Sequence, residues 1–97
     1  MDFSAHICGN IVLHGNAAAV YFTNDAGNQV WLKLRILDTE DRILAETGLL
    51  KSNEYVQTVT FDTVPESGVA IRLKIMAYKP DTYYSAGAAT LNTTVGG

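Results

Sequence analysis

Apolar and polar positions alternate with a period of two over most of this chain, and the pattern is densest in residues 29–62. There Val30, Leu32, Leu34 and Ile36 point one way, while Trp31, Lys33, Arg35 and Leu37 point the other. A period of two is the signature of a β-strand. Two further apolar runs, 43–50 and 55–62, follow across the polar breaks Asp38-Thr39-Glu40-Asp41 and Lys51-Ser52-Asn53-Glu54. Strands joined so closely must be antiparallel, because a parallel connection needs a dozen or more residues. The middle of the chain therefore predicts a three-strand meander.

The flanks add four more strands. Residues 6–14 predict a first strand with Ile7, Gly9, Ile11 and Leu13 on one face, weakened by a bulge at Gly9. Gly15-Asn16 turns the chain into a second strand, 17–24, with Ala18, Val20 and Phe22 inward and Tyr21 outward. Asp25-Ala26-Gly27-Asn28 turns it again, and Pro65 ends any ladder in 64–68. Residues 69–79 alternate most cleanly: Val69, Ile71, Leu73, Ile75 and Ala77 against Ala70, Arg72, Lys74, Met76 and Tyr78. Residues 83–95 form the last strand, interrupted at Gly87, with Ala89, Leu91, Thr93 and Val95 inward. The expected core is Leu34, Ile36, Val59, Phe61, Ile71, Leu73, Ile75 and Leu91. The charges Glu40, Arg42 and Glu46 have helical spacing, but Gly48 and the flanking strands predict a strand there too.

Strands of this kind at roughly ten-residue spacing predict an all-β fold, an immunoglobulin-like antiparallel β-sandwich of about seven strands. In that order strands one, two and five share one sheet and strands three, six and seven the other. Strand four would then pair with strand three at an edge.

The 97 residues suit one domain, 1–97, with a single modest core. Hydrophobic residues are 47% and charged residues 18%, a globular balance. A net charge of −3 disfavours nucleic acid as a partner. No apolar run approaches the length of a membrane span. Met1-Asp2-Phe3-Ser4-Ala5 is not a signal peptide, so an exported form would carry its signal outside these residues. Cys8 stands alone and forbids an internal disulfide, which suits a cytoplasmic protein and equally a cysteine-avoiding surface domain.

Candidate chemistry is sparse. His6, Cys8 and His14 share one strand face, but a tetrahedral zinc site lacks its remaining ligands, and Cys8 and His14 are about 20 Å apart on an extended strand. Cys8 beside His6 shows no third catalytic group, and the simpler reading is a small apolar side chain on a half-buried strand. Asp38, Glu40 and Asp41 lack the spacing and the glycine of a calcium loop and predict a solvated hairpin tip. Asn92-Thr93-Thr94 matches the N-glycosylation pattern, which acts only in a eukaryotic secretory host. No catalytic residue, metal or cofactor is expected, and the chain is not expected to be an enzyme.

The outer faces of strands three and six carry the one asymmetry. If they are neighbours, Trp31, Lys33 and Arg35 lie beside Arg72, Lys74, Met76 and Tyr78, placing four cations on one face of an acidic protein. Like charges side by side destabilise a sheet unless offset, and Glu46 on strand four is a candidate to do so. One reading is an ordinary solvated face whose long stems cover the sheet. The other is a docking face with aromatic and arginine anchors: Trp31, Lys33, Arg35, Arg72, Lys74 and Tyr78.

Phe22-Thr23-Asn24 with Asn28, Trp31-Leu32-Lys33-Leu34, the run Ile43 to Leu50, and Tyr83 followed by Gly87-Ala88 together carry a resemblance. The chain resembles the immunoglobulin-like domain of uncharacterised surface and mobile-element-associated proteins of Gram-positive bacteria, over residues 17–95. It departs at Glu40-Asp41, where that family usually has Asp-Gly, and at Ser52-Asn53, where Pro-Gly is frequent. The resemblance implies an exported, non-enzymatic bacterial surface module for protein binding or cell adhesion. Two alternatives stay open: a structural subunit of a filament, coat or surface assembly that self-associates as a homo-oligomer through a strand edge, and a carbohydrate-binding module using Trp31, Tyr83 and Tyr84.

Overall fold

The computed structural model describes residues 5–82 and 85–96, and every regular element among them is a strand. In chain order these are β1 (Ala5–His6), β2 (Ile11–His14), β3 (Ala17–Asn24), β4 (Trp31–Leu37), β5 (Ile43–Glu46), β6 (Tyr55–Thr60), β7 (Ala70–Tyr78) and β8 (Ser85–Gly96). No helix among the described residues is long and apolar enough to cross a membrane.

Two sets of ladders build the molecule. In the first, β3 takes β1 and then β2 along one edge, with Ala5 opposite Asn24 and Leu13 opposite Ala18. β6 runs along both stretches of β3 and so occupies its other edge. In the second set β4 lies between β5 and β7, and β7 pairs with β8. A short parallel ladder, Ile11 opposite Val95 and Val12 opposite Gly96, joins β2 to β8. The result is one mixed sheet curled into a half-barrel. Its concave side buries Phe22, Leu32, Leu34, Ile36, Ile71 and Leu73, each worth about 1.5–3 kcal/mol of burial.

The expected first strand is broken in two. Leu13 lies seven positions after His6, but their partners Thr23 and Ala18 are only five positions apart. The two extra residues bulge around Gly9, where the Cys8 amide donates to the Val20 carbonyl and the Thr93 hydroxyl donates to the Gly9 carbonyl. The bulge frees β2 to swing onto β8. That is why the sheet is mixed, where a wholly antiparallel one was expected.

The three-strand meander over 29–62 is also corrected. β5 pairs with β4, but β6 crosses to β3. The strand expected over 43–50 ends at Glu46. Beyond it the chain still follows β4, with the Thr47 amide donating to the Leu34 carbonyl and Leu32 and Leu50 exchanging backbone bonds. It then turns through Asn53, which holds a left-handed φ of 69°. The buried side chain of Asn24 fixes this crossover: its amide nitrogen donates to the carbonyls of Val30 and Leu50, and its oxygen accepts from Asn28. The Asn24 backbone adds bonds to Glu54 and Asn53. β6 is thereby delivered to β3. Strands one, two and five pair among themselves, as do three, six and seven, but the β2–β8 ladder joins the two groups into one mixed sheet in place of the two sheets expected.

The core expectation holds for Leu34, Ile36, Val59, Phe61, Ile71 and Leu73. It fails for Ile75, which is half-buried, and for Leu91, which is 46% exposed. β2 reaches only Val95 and Gly96, so residues 87–92 of β8 are exposed, with Gly9 bordering Leu91 and Ala86 alone of the upper part packed against the core. Leu37 and Met76, expected outward, are buried. The register shift beside Ile36 and Leu37 falls on β5, which skips Leu44, while β4 stays in register with β7; Leu37 therefore keeps to the Arg72 side and is covered there. Tyr21 is outward as expected, but at φ 46° on a register shift between Ala19 and Phe22.

Candidate functional site

The six residues singled out in the sequence come together on the outer face of β4 and β7. Trp31 stands opposite Tyr78, Arg35 opposite Lys74, and Leu37 opposite Arg72. Lys33 stands opposite Met76, whose sulfur accepts a hydrogen bond from the Tyr78 hydroxyl at 3.5 Å. β8 continues the rows outward, with Ser85 beside Tyr78, Ala88 beside Met76, Thr90 beside Lys74 and Asn92 beside Arg72.

The charges are more fully matched than the strand pattern alone suggests. Glu46 on β5 lies opposite Arg35 and accepts from both Lys33, at 2.8 Å, and Arg35, at 2.5 Å. The hydrogen bond from Lys33 is the largest cause holding the Glu46 carboxyl below its ordinary pKa; partial burial works against it, and Arg35 adds to the lowering. Arg72 pairs with Asp41 and donates to the Asp38 carbonyl. The mutual repulsion expected among four cations is therefore largely relieved within the chain. Of the four side chains, that of Lys74 alone has no ion pair or hydrogen bond among the described residues.

Trp31 does not offer an open ring: the Lys51 ammonium lies 5.3 Å from its centroid, a cation–π distance. Tyr83 and Tyr84, the other aromatics of the sugar-platform reading, lie outside the described residues.

The 38–41 hairpin borders this face and is not simply a solvated tip. Asp38 is buried, and its carboxylate accepts from the amides of Glu40 and Arg42 and from the Arg42 guanidinium. These bonds, the Arg42 amide first, hold its pKa below the ordinary carboxylate value despite the cost of burial. Asp41 takes the left-handed conformation, φ 63°, that a glycine would take at the end of such a turn. A cavity of about 290 Å³ opens between this hairpin and Arg72, and another of about 220 Å³ lies on the side of Arg42 and Thr63. Arg72 is already engaged by Asp41 and the Asp38 carbonyl, so the first cavity holds no uncommitted charge of its own for a ligand.

His6 contacts Asp25 at 3.2 Å, and the Cys8 thiol donates weakly to the Asn10 carbonyl. The break at Gly9 puts His14 on β2, apart from His6 on β1 and from Cys8, which lies between the two strands. No group of three or more metal-ligating side chains occurs among the described residues. The residue that sequence reasoning missed is Asn24. It continues the inward phase of Ala18, Val20 and Phe22, and a polar side chain in a core phase is the signal that marks it.

Compared with protein-family models, curated proteins and solved structures, the chain matches none of them.

Proposed function

We propose that the chain is a non-catalytic protein-binding module that docks an acidic segment of another protein on the outer face of β5, β4, β7 and β8. The observation that carries this reading is Lys74. It is half-buried at the centre of that face, directly opposite Arg35, and no carboxylate of the described residues answers it. Lys33 and Arg35 share the single Glu46, so the centre of the face keeps a cationic excess on a chain of net charge −3. Tyr78 flanks it with the aromatic surface that protein interfaces favour, and Trp31, whose ring carries the Lys51 ammonium, borders it and adds a further cation. The half-barrel reads as an immunoglobulin-like sandwich: β1, β2, β3 and β6 pair among themselves, as do β4, β5, β7 and β8, with β2 bridging to β8. The resemblance described above supports an adhesion-type setting on a bacterial surface.

Trp31 is the sole tryptophan and lies on the proposed face, so its fluorescence reports binding directly. A glutamate-rich peptide should perturb it saturably and lose affinity as salt rises. Lys74→Glu should weaken that binding about tenfold while leaving the fold intact, because the Lys74 side chain makes no ion pair or hydrogen bond among the described residues. A Trp31 signal that does not saturate, or a Lys74→Glu variant that binds like the parent, contradicts the reading.

A further inference from the structure

We infer that the free edge of β8 pairs with the β8 edge of a second copy of this chain, forming a two-fold dimer centred on Thr90. This goes beyond the docking face and does not depend on it.

The direction of the unpaired backbone groups follows from Val95. Its amide donates to the Val69 carbonyl and its carbonyl accepts from the Gly68 amide, so Val95 turns both groups toward β7. Backbone groups alternate sides along a strand, so Ala88, Thr90 and Asn92 turn theirs away from β7. β2 covers β8 only at Val95 and Gly96, and no described strand lies beside residues 85–92. Ala88, Thr90, Leu91 and Asn92 are all exposed.

An open edge normally carries protection: a lysine, a proline, an inward charge or a very short strand. β8 is 12 residues long and contains no charged residue and no proline. Its only irregularity is the register shift near Gly87, at the end of the ladder. An unprotected edge this long fits a strand that is covered in the working protein.

The sequence of the edge suits its own copy. An antiparallel pairing about Thr90 sets Thr90 against Thr90 and Ala88 against Asn92, giving about six backbone hydrogen bonds. On the inner face it sets Leu91 against Ala89 of the second copy, large against small, and covers apolar surface that β8 leaves bare. No like charges meet across the axis. The nearest cations are Lys74 and its symmetry mate, separated by three strand spacings, or about 14 Å, which exceeds the screening length of about 8 Å in physiological salt. The two docking faces would then join as one continuous sheet.

Sedimentation of the purified chain over a concentration series tests this. The parent should show a reversible monomer–dimer equilibrium. Thr90→Lys and Thr90→Glu, each checked for folding by circular dichroism, should each weaken dimerisation at least about tenfold, because identical charges then face each other on the axis. Mixing the two variants should restore a dimer. A parent that stays monomeric into the hundred-micromolar range overturns the inference and leaves the edge to a strand from a different protein. So does a parent dimer that neither variant weakens, or a mixture that remains monomeric.

Discussion

Leu73 and Leu91 face each other across the β7–β8 ladder and point to the same side of the sheet, yet Leu73 is fully buried and Leu91 is 46% exposed. The difference comes from their surroundings. Leu73 lies between two paired strands, while Leu91 sits on a strand that overhangs the rest of the half-barrel. Leu73→Ala should cost about 2–5 kcal/mol in denaturant unfolding. Leu91→Ala should cost under about 1 kcal/mol in the monomer, because little is packed against it. Equal losses at the two positions would show that β8 is covered after all.

Asn24 holds three segments at once. Asn24→Ala removes the donor for the Val30 and Leu50 carbonyls and the acceptor for Asn28, in a site without water access to replace them. The expected loss is about 2–3 kcal/mol, read as a shift in denaturant midpoint. A shift worth less than about 0.5 kcal/mol would mean that the crossover from β4 to β3 is held by its backbone alone.

Glu46 predicts an acid-sensitive face. Its pKa is lowered in the fold, chiefly by the hydrogen bond from Lys33, so the folded state holds the proton less tightly than the unfolded chain does. The stabilisation is present above the ordinary carboxylate range and is lost as the pH falls from about 5 downward. Glu46→Gln should remove under about 1 kcal/mol at neutral pH, since the pair is partly solvated, and should flatten that part of the acid dependence. An unchanged acid profile in the variant would place the titrating group elsewhere, with Asp38 the next candidate.

Asn53 is exposed, left-handed and makes no side-chain hydrogen bond among the described residues. Asn53→Gly should therefore be neutral or stabilising by up to about 1 kcal/mol, measured as a rise in melting temperature. Asp41 has the same backbone geometry, but its carboxylate holds Arg72, so Asp41→Gly should lose what the backbone gains. A clear destabilisation by Asn53→Gly would mean that its side chain anchors the turn.

The strands were readable because alternation survives wherever one face is buried. Val20, Phe22, Leu32, Leu34, Ile71 and Leu73 all lie where the period of two puts them. Asp41 and Asn53 adopt the left-handed geometry that glycine takes most easily, and the turns at both positions hold without one. Three things were not readable. Strand pairing depends on where a crossover is clamped, and the clamp at Asn24 acts through groups far apart in the chain. Burial of β8 depends on how far β2 reaches along it, which alternation cannot report. The charge state of the outer face depends on Glu46 reaching two strand positions at once, which becomes visible only when β5 is in register with β4.

The most direct test of the docking face is residue-resolved. Backbone amide NMR spectra of the chain, recorded while a glutamate-rich peptide is titrated in, map the contact surface without any variant. The account predicts saturable shifts clustered at Trp31, Lys33, Arg35, Lys74 and Tyr78, weakening as salt is raised. Shifts that cluster on the outer side of β3 and β6, around Tyr21 and Tyr55, or only in the loops between strands, would contradict it.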